Sequence, residues 1–486
     1  MFLRHSLIYL LARGIPSLIA FSSVAIYTRL LNPGEFGLYA LVFTGASLLS
    51  SILFQWLRMG LLRFYQERFG EEKIALVSTT AIAFVAVAGG LIVISTPLIA
   101  IYKKMVLGAL LIAISLAQGA FDILLERARV ELSPLRFGIV ASLRALGMLM
   151  GGIAGFELWG DAQGLLLGLF LGLALVVLLE LRRAVSLINL SSASRAEVWH
   201  ILRFGGPLTA TFALAGIMGF ADRYMLAGMV NTASAGYYAA AYDITQKSTI
   251  TLMMVVNLAG YPLLLRAQAD GSMANFQTLL RQTLNGLLLI GLPIICAFIL
   301  LPDIIAGTFL GNAFRTQATL LLPWLSFAAL IEGLKVYYFD LSFQLRQNTI
   351  HQVWIVGLAA LLNVGLNVWL IPLHGGLGAA WATLSSNAVA LLLSFAISRT
   401  QIKLPLINGD TATILAATVV MGGVLYMAKP FVAAVFNYSL FKLFLFAGLG
   451  GFIYTATILG MNVMGVRQQI RARWAARQST ANGRTS

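Results

Sequence analysis

Apolar windows of about 20 residues recur from one end of this 486-residue chain to the other, each the length an α-helix needs to cross the hydrocarbon core of a bilayer. Hydrophobic residues make up 59% of the chain and charged residues only 10%, so too little polar sequence separates the windows to build a water-soluble domain. Transmembrane β-strands would be about 10 residues long with a two-residue alternation, and no such pattern is present. The expected fold is an all-α polytopic membrane protein of about fourteen helices. They are placed near 6–30, 36–57, 75–102, 105–125, 138–157, 162–181, 204–230, 234–264, 278–301, 316–342, 350–372, 376–398, 411–428 and 440–465. Prolines 16, 207 and 262, near helix ends, suit broken or kinked spans.

The first 31 residues have a basic tip and an apolar run, but Arg13 interrupts the run and no small-x-small cleavage site follows, so this segment is read as a retained first helix. The single cysteine, Cys296, excludes an internal disulfide or a cysteine metal cluster and is expected to pack within its helix. A net charge of +15 raises the question of nucleic acid, yet the basic residues sit in short segments between apolar runs rather than on one face or arm. Membrane topology accounts for them. With the N-terminus in the cytosol, Arg4, the inner loops and the C-terminal tail together collect 22 of the 33 Lys and Arg. The outer loops hold only Arg29, Lys103, Lys104, Arg315, Lys429 and Lys442. The positive-inside rule then places both termini in the cytosol, which an even number of helices satisfies.

The segment "NPGEFGLYALVF" (32–43) is echoed by "NTASAGYYAAAY" (231–242): Asn32, Gly37, Tyr39 and Ala40 match Asn231, Gly236, Tyr238 and Ala239 at an offset of 199. Each copy begins the second helix of its half. The chain is therefore divided into a six-helix half over 1–184, a cytoplasmic linker over 185–203, a second six-helix half over 204–400, two additional helices over 411–465 and a basic tail over 466–486. Parallel repeats of this kind predict two bundles around a V-shaped central cavity, with a substrate site between them.

A charge at the bilayer centre costs roughly 2.5–3.5 kcal/mol on insertion scales, so embedded charges are expected to line an interior. Asp222 and Arg223 fall near mid-membrane in the seventh helix, and Asp243 does so in the eighth. Asp243 and Lys247 lie four apart on one helical face, with Gln246 beside them; Glu332 and Lys335 lie three apart in the tenth helix. Each couple reads as an intrahelical ion pair that either lines the cavity or only specifies packing. Arg13 and Arg144 have no acidic partner within a turn. Their planar guanidinium forks suit a phosphate, the alternative being that they snorkel to the inner headgroups. Asp122, near Glu126 and Arg127, and likewise Asp340, read as interfacial. Tyr237 and Tyr238 read as part of the aromatic belt, while Tyr242 is open between cavity and packing.

The histidines, His5, His200, His351 and His374, lie far apart without metal-ligand spacing, and no GxxxxGKS phosphate loop is present, so neither a metal nor a nucleotide cofactor is expected. "AGG" (88–90) and "GGIAG" (151–155) read as close helix packing.

"YTRLLNPGEFGLYALVF" and "LRFGGPLTATFALAGIMGFADRYMLAGMVNTASAGYYAAAYDI" resemble the two signature segments of the polysaccharide-exporter branch of the multidrug/oligosaccharidyl-lipid/polysaccharide (MOP) exporter superfamily; the resemblance covers about residues 1–400. It implies a Wzx-type flippase in the bacterial inner membrane, moving undecaprenyl-pyrophosphate-linked oligosaccharide units for O-antigen, lipopolysaccharide, capsule or exopolysaccharide assembly. Alternating access would be coupled to a proton or sodium gradient. Membrane lipids, a polysaccharide polymerase and a chain-length regulator would be its partners. Arg13, Arg144, Arg223, Lys247 and Lys335 would supply a cationic lining for pyrophosphate, Tyr242 a face for sugar, and Asp222, Asp243 or Glu332 the coupling carboxylate. The last two helices would form a groove for the lipid tail.

Two other readings compete. A multidrug antiporter of the same superfamily should have a net acidic or apolar cavity, whereas five embedded basic residues outnumber the three embedded acids. A membrane polysaccharide polymerase or ligase would need a sizeable outer loop, and every outer loop here is short.

Overall fold

The computed structural model describes residues 2–101, 105–131, 134–185, 188–346, 348, 350–406, 408–436, 438–463 and 467. Among the described residues all regular structure is helical. The first seven long helices are α1 (Phe2–Leu30), α2 (Pro33–Phe64), α3 (Gly70–Ile101), α4 (Met105–Val130), α5 (Pro134–Trp159), α6 (Ala162–Ala184) and α7 (Arg195–Met229). They are followed by α8 (Thr232–Ala269), α9 (Met273–Leu300), α10 (Pro302–Phe309), α11 (Arg315–Leu334), α12 (Leu341–Leu345), α13 (Ile350–His374), α14 (Gly376–Gln401), α15 (Gly409–Val435) and α16 (Ser439–Gly460).

Among the described residues twelve helical segments are long and apolar enough to cross a membrane. A thirteenth, α7, is bent by 47° between Arg195–Leu214 and Gly219–Met229. α1 carries a shorter apolar stretch over Gly14–Leu30, and twelve to thirteen spans stand close to the expected count of about fourteen. Hydropathy did not separate α10, eight residues that Pro302 starts and that precede the tenth span, nor a π turn at Lys335–Phe339 that joins α11 to α12 within that span.

The helix starts follow capping chemistry. Asn32 closes a capping box with Glu35, its side chain accepting from the Glu35 amide while Glu35 accepts from the Asn32 amide. Asn231, its repeat equivalent, accepts from the Ser234 amide at 2.8 Å at the start of α8.

By contact the chain groups into two compact units, 1–243 with 356–382, and 244–355 with 383–486. In the first, α2 lies antiparallel to α7: Gly45 receives the Tyr224 ring, whose hydroxyl donates to the Leu41 carbonyl at 2.7 Å, Gly205 sits against the Trp56 backbone, and Gly60 sits on Ile201. α5 and α6 meet along a seam of glycines, Gly147 on Gly172, Gly151 on Gly168 and Gly155 on Gly164, so close that a Cβ at any of them would meet the facing backbone. The close packing expected of "GGIAG" is thus present. That expected of "AGG" is not, since Gly89 and Gly90 are exposed with no atom near either Cβ direction. In the second unit, Met253, Leu280, Leu287, Leu330, Tyr338 and Phe339 form a core between α8, α9 and the π turn, and α15 packs on both α9 and α16. Cys296, half-buried, faces Gly422 of α15.

Candidate functional site

In the first unit a polar cluster is built from α7, the first third of α8 and α13. Asp222 is 1% exposed, and each of its carboxylate oxygens accepts from a neutral donor: Oδ2 from the Tyr238 hydroxyl and Oδ1 from Asn367 Nδ2, both at 2.5 Å. Asn367 Nδ2 also donates to Asn363 Oδ1 at 3.0 Å, one helical turn away. Tyr238 is therefore an interior residue and not part of an interfacial belt. Its ring stacks on Tyr242 with centroids 5.9 Å apart. The two asparagines were passed over in the sequence, although "NVGLN" in an apolar helix is itself a signal: polar amides four apart on one face of a span need partners.

The adjacent Arg223 is 3% exposed and donates through Nη2 to Asp243 Oδ1 at 2.5 Å. Its guanidinium lies over the Tyr242 ring at 5.3 Å and the Phe220 ring at 5.8 Å, and its Nε is buried with no hydrogen-bond partner. Tyr242 thus takes a stacking role beside the cation, the kind of flat apolar face on which an arginine is held without losing its charge. Asp243 receives Arg223 from the neighbouring helix, a partner that spacing along one helix does not reveal.

Arg144 has also found an anion. It donates to Asp122 Oδ1 at 3.1 Å, 22 residues away on α4, and stands over the Phe121 ring at 4.8 Å. Asp122 is only partly exposed and also takes Arg58 at 3.3 Å, which in turn approaches Glu126 at 3.6 Å; Glu126 takes Arg129 at 3.0 Å. No acid lies within a turn of Arg144 on its own helix; its counterion lies on another helix. Arg13 lies on α1, and its side chain is outside the described residues.

In the second unit Glu332 and Lys335 do not pair with each other. Gln246 Nε2 donates to Glu332 Oε2 at 2.8 Å, while Lys335, 6% exposed, donates to Asp340 Oδ2 at 2.6 Å. The cause is the π turn, in which the Asp340 amide bonds the Lys335 carbonyl; the widened turn brings a residue five places on back alongside Lys335. Asp340 is 3% exposed and accepts from the Ser394 hydroxyl at 2.7 Å, so the interfacial reading of it is corrected too. Lys247 is half-buried on α8, one residue beyond Gln246.

In both clusters buried carboxylates accept from amides and hydroxyls, and in the first the buried Arg223 guanidinium lies over aromatic rings. Among the described residues no group of three or more His, Cys, Asp or Glu could hold a metal ion.

Comparison with solved structures shows the fold. The chain is similar to the structure titled "Lipid II flippase MurJ, inward closed conformation", with a TM-score of 0.78 and 14% identity over 96% of this chain and 100% of that one. It is also similar to an inward-facing multidrug resistance MATE family transporter of the MOP superfamily, with a TM-score of 0.64 and 15% identity over 81% of this chain and 97% of that one. A MOP superfamily transporter from Pyrococcus furiosus, whose title reports a binding pocket of reverse polarity, gives a TM-score of 0.51 at 16% identity over 82% of this chain and 94% of that one. No curated protein matches the chain in sequence. A family model described as "Polysaccharide biosynthesis protein" matches residues 26–319, more than half of the chain. With the fold of the MOP superfamily transporters, this multi-pass membrane protein belongs to the polysaccharide biosynthesis protein family.

Proposed function

We propose that the protein is a flippase carrying undecaprenyl-pyrophosphate-linked oligosaccharide units from the inner to the outer leaflet of a bacterial inner membrane, for O-antigen, capsule or exopolysaccharide assembly. The observation that carries this reading is Arg223: a guanidinium 3% exposed inside a membrane span, with a free Nε edge, in a chain of a polysaccharide biosynthesis family. Asp243 takes one edge of this guanidinium through Nη2, which leaves the Nε edge for a second anion, and a lipid-linked pyrophosphate is an anion that must pass through the membrane interior. Lys247, Lys335, Arg144 and Arg13 are the further cationic positions of this reading, and Tyr242 is its stacking face for sugar. The halves 1–184 and 204–400 would alternate in access around the site, with both termini in the cytosol and the pair at 411–465 holding the lipid tail.

Coupling to an ion gradient is assigned first to Asp222, a carboxylate 1% exposed within a span and held in place by Tyr238 and Asn367. Asp243, which pairs with the cation Arg223, and Glu332, which accepts from Gln246, are the other candidates.

Proteoliposomes holding a fluorescently tagged lipid-linked oligosaccharide test the reading. The wild-type chain should move the lipid between leaflets, and Arg223→Ala and Lys247→Ala, incorporated at equal density, should each slow it at least tenfold. Wild-type rates in both variants would remove the cationic site from the mechanism. Extrusion of a cationic dye in place of the lipid would favour the antiporter reading.

A further inference from the structure

The second unit has a cavity of about 660 Å³ at one end of its spans, away from the clusters described above. Its walls come from four chain segments: the end of α8, the start of α9, the end of α12 and the residues that follow α14. The chain reverses between α8 and α9 within three residues because Gly271 adopts φ +67°, which an L side chain rarely takes. That turn sets Gln268 and Gln277 on the same cavity.

Three side-chain-to-carbonyl bonds fix the rim. Gln268 Nε2 donates to the Leu345 carbonyl at 3.4 Å, Arg346 Nη2 to the Gln401 carbonyl at 3.2 Å, and Gln277 Nε2 to the Lys403 carbonyl at 2.9 Å. These bonds cross-link the loops; two of them answer the terminal carbonyls of α12 and α14, which have no partner within their own helix, and the third holds the segment that follows α14. The shape of the cavity is therefore set before anything binds.

The lining holds two cations, Arg346 and Lys403, and no carboxylate; Asp270 at the loop tip is exposed and does not line it. Neither cation makes an ion pair among the described residues. The plain structural role for them is to face helix C-termini. Three C-termini and one N-terminus meet here, at about half a charge each, a sum of roughly −1, which leaves roughly one positive charge unanswered. Phe276 supplies an apolar wall, and Met273, 68% exposed, stands at the mouth.

We propose that this cavity binds the phosphodiester headgroup of an anionic phospholipid, with Arg346 and Lys403 on the phosphate, the glutamine amides on its hydroxyls and Met273 against the glycerol and upper acyl chain. The three loops concerned alternate with the outer ones, so they open on the face read above as cytosolic, and the proposal rests on that orientation. A free phosphate ester would satisfy the same cations but leave Met273 without a contact.

The test is native mass spectrometry of the full chain, purified in detergent and titrated with phosphatidylglycerol, phosphatidylcholine or glycerol 3-phosphate. Phosphatidylglycerol should be retained in preference to phosphatidylcholine, with retention falling as salt rises. Arg346→Gln and Lys403→Gln should each weaken retention roughly fivefold, and the double variant roughly 25-fold. Lys403→Arg, which keeps the charge, should retain wild-type binding. Both side chains are exposed, so the substitutions leave the core untouched. Retention of glycerol 3-phosphate as strong as that of the lipid would assign the cavity to a soluble phosphate ester. Equal retention of both lipids, or an unchanged double variant, would overturn the site. No transport is measured, so failure of the flippase reading would leave this result standing.

Discussion

Gly37 of α2 and Gly236 of α8 are repeat equivalents, and they face each other. A Cβ on Gly37 would run into the Thr232 carbonyl and approach the Gly236 amide at 3.1 Å, while a Cβ on Gly236 would run into the Pro33 carbonyl and approach the Gly37 amide at 2.9 Å. Because Pro33 and Thr232 are themselves equivalent, the contact reproduces itself when the two helices are exchanged. The sequence repeat thus has a physical location, the place where two copies of one motif meet backbone to backbone.

Gly37→Val and Gly236→Val should each destabilise the chain by about 1–3 kcal/mol, since no flexible side chain is present to yield. Thermal unfolding in nanodiscs measures this. Gly89→Val, on an open helix surface, is the control and should leave the transition where it was. An unshifted Gly37→Val would show that the two helix starts do not touch in the membrane.

For Arg223 and Asp243, Asp243→Leu strands the buried Arg223 and should cost about 3–5 kcal/mol, Arg223→Met leaves the quarter-exposed Asp243 and should cost less, and the two changes together should recover most of the loss. Export separates the roles. If the pair serves only packing, the double variant recovers export together with stability; a stable double variant that fails to export is the expected result for an arginine that meets the substrate.

Lys335 and Asp340 answer to the same logic around a different backbone. Lys335→Met alone should lower the unfolding transition, because Asp340 would keep only its Ser394 hydroxyl, and a second change, Asp340→Leu, should restore it. Loss of export in the restored protein would place Lys335 at the substrate. Full export would make it a packing element of the π turn.

Asp222→Asn removes the charge and keeps the shape. Flipping driven separately by imposed proton and sodium gradients should respond to one of them in the wild type and to neither in this variant. A variant that still responds would move coupling to Asp243 or Glu332.

How much of this was legible beforehand depended on the range of each interaction. The all-helical membrane fold and the embedded charges Asp222 and Arg223 follow from hydropathy, and those were readable. The partners were not. Arg144 meets Asp122 across 22 residues, and Asp222 meets Asn367 across 145, because a span brings together side chains at one depth, whatever their distance along the chain. Lys335 was matched to the wrong acid for a local reason: a π turn changes which residue lies one turn away, and the sequence "KVYYFD" carries no mark of it. Asn363 and Asn367 were visible but uncharged, and attention to charge passed over them.

The α5–α6 seam has one more consequence. Helices joined through side chains can slip past each other by exchanging rotamers, but Gly147, Gly151 and Gly155 meet Gly172, Gly168 and Gly164 with no rotamers to exchange. The pair is therefore a stiff double strut: a push delivered to α5 arrives undiminished at α6, and any bending in the cycle has to be absorbed elsewhere in the chain.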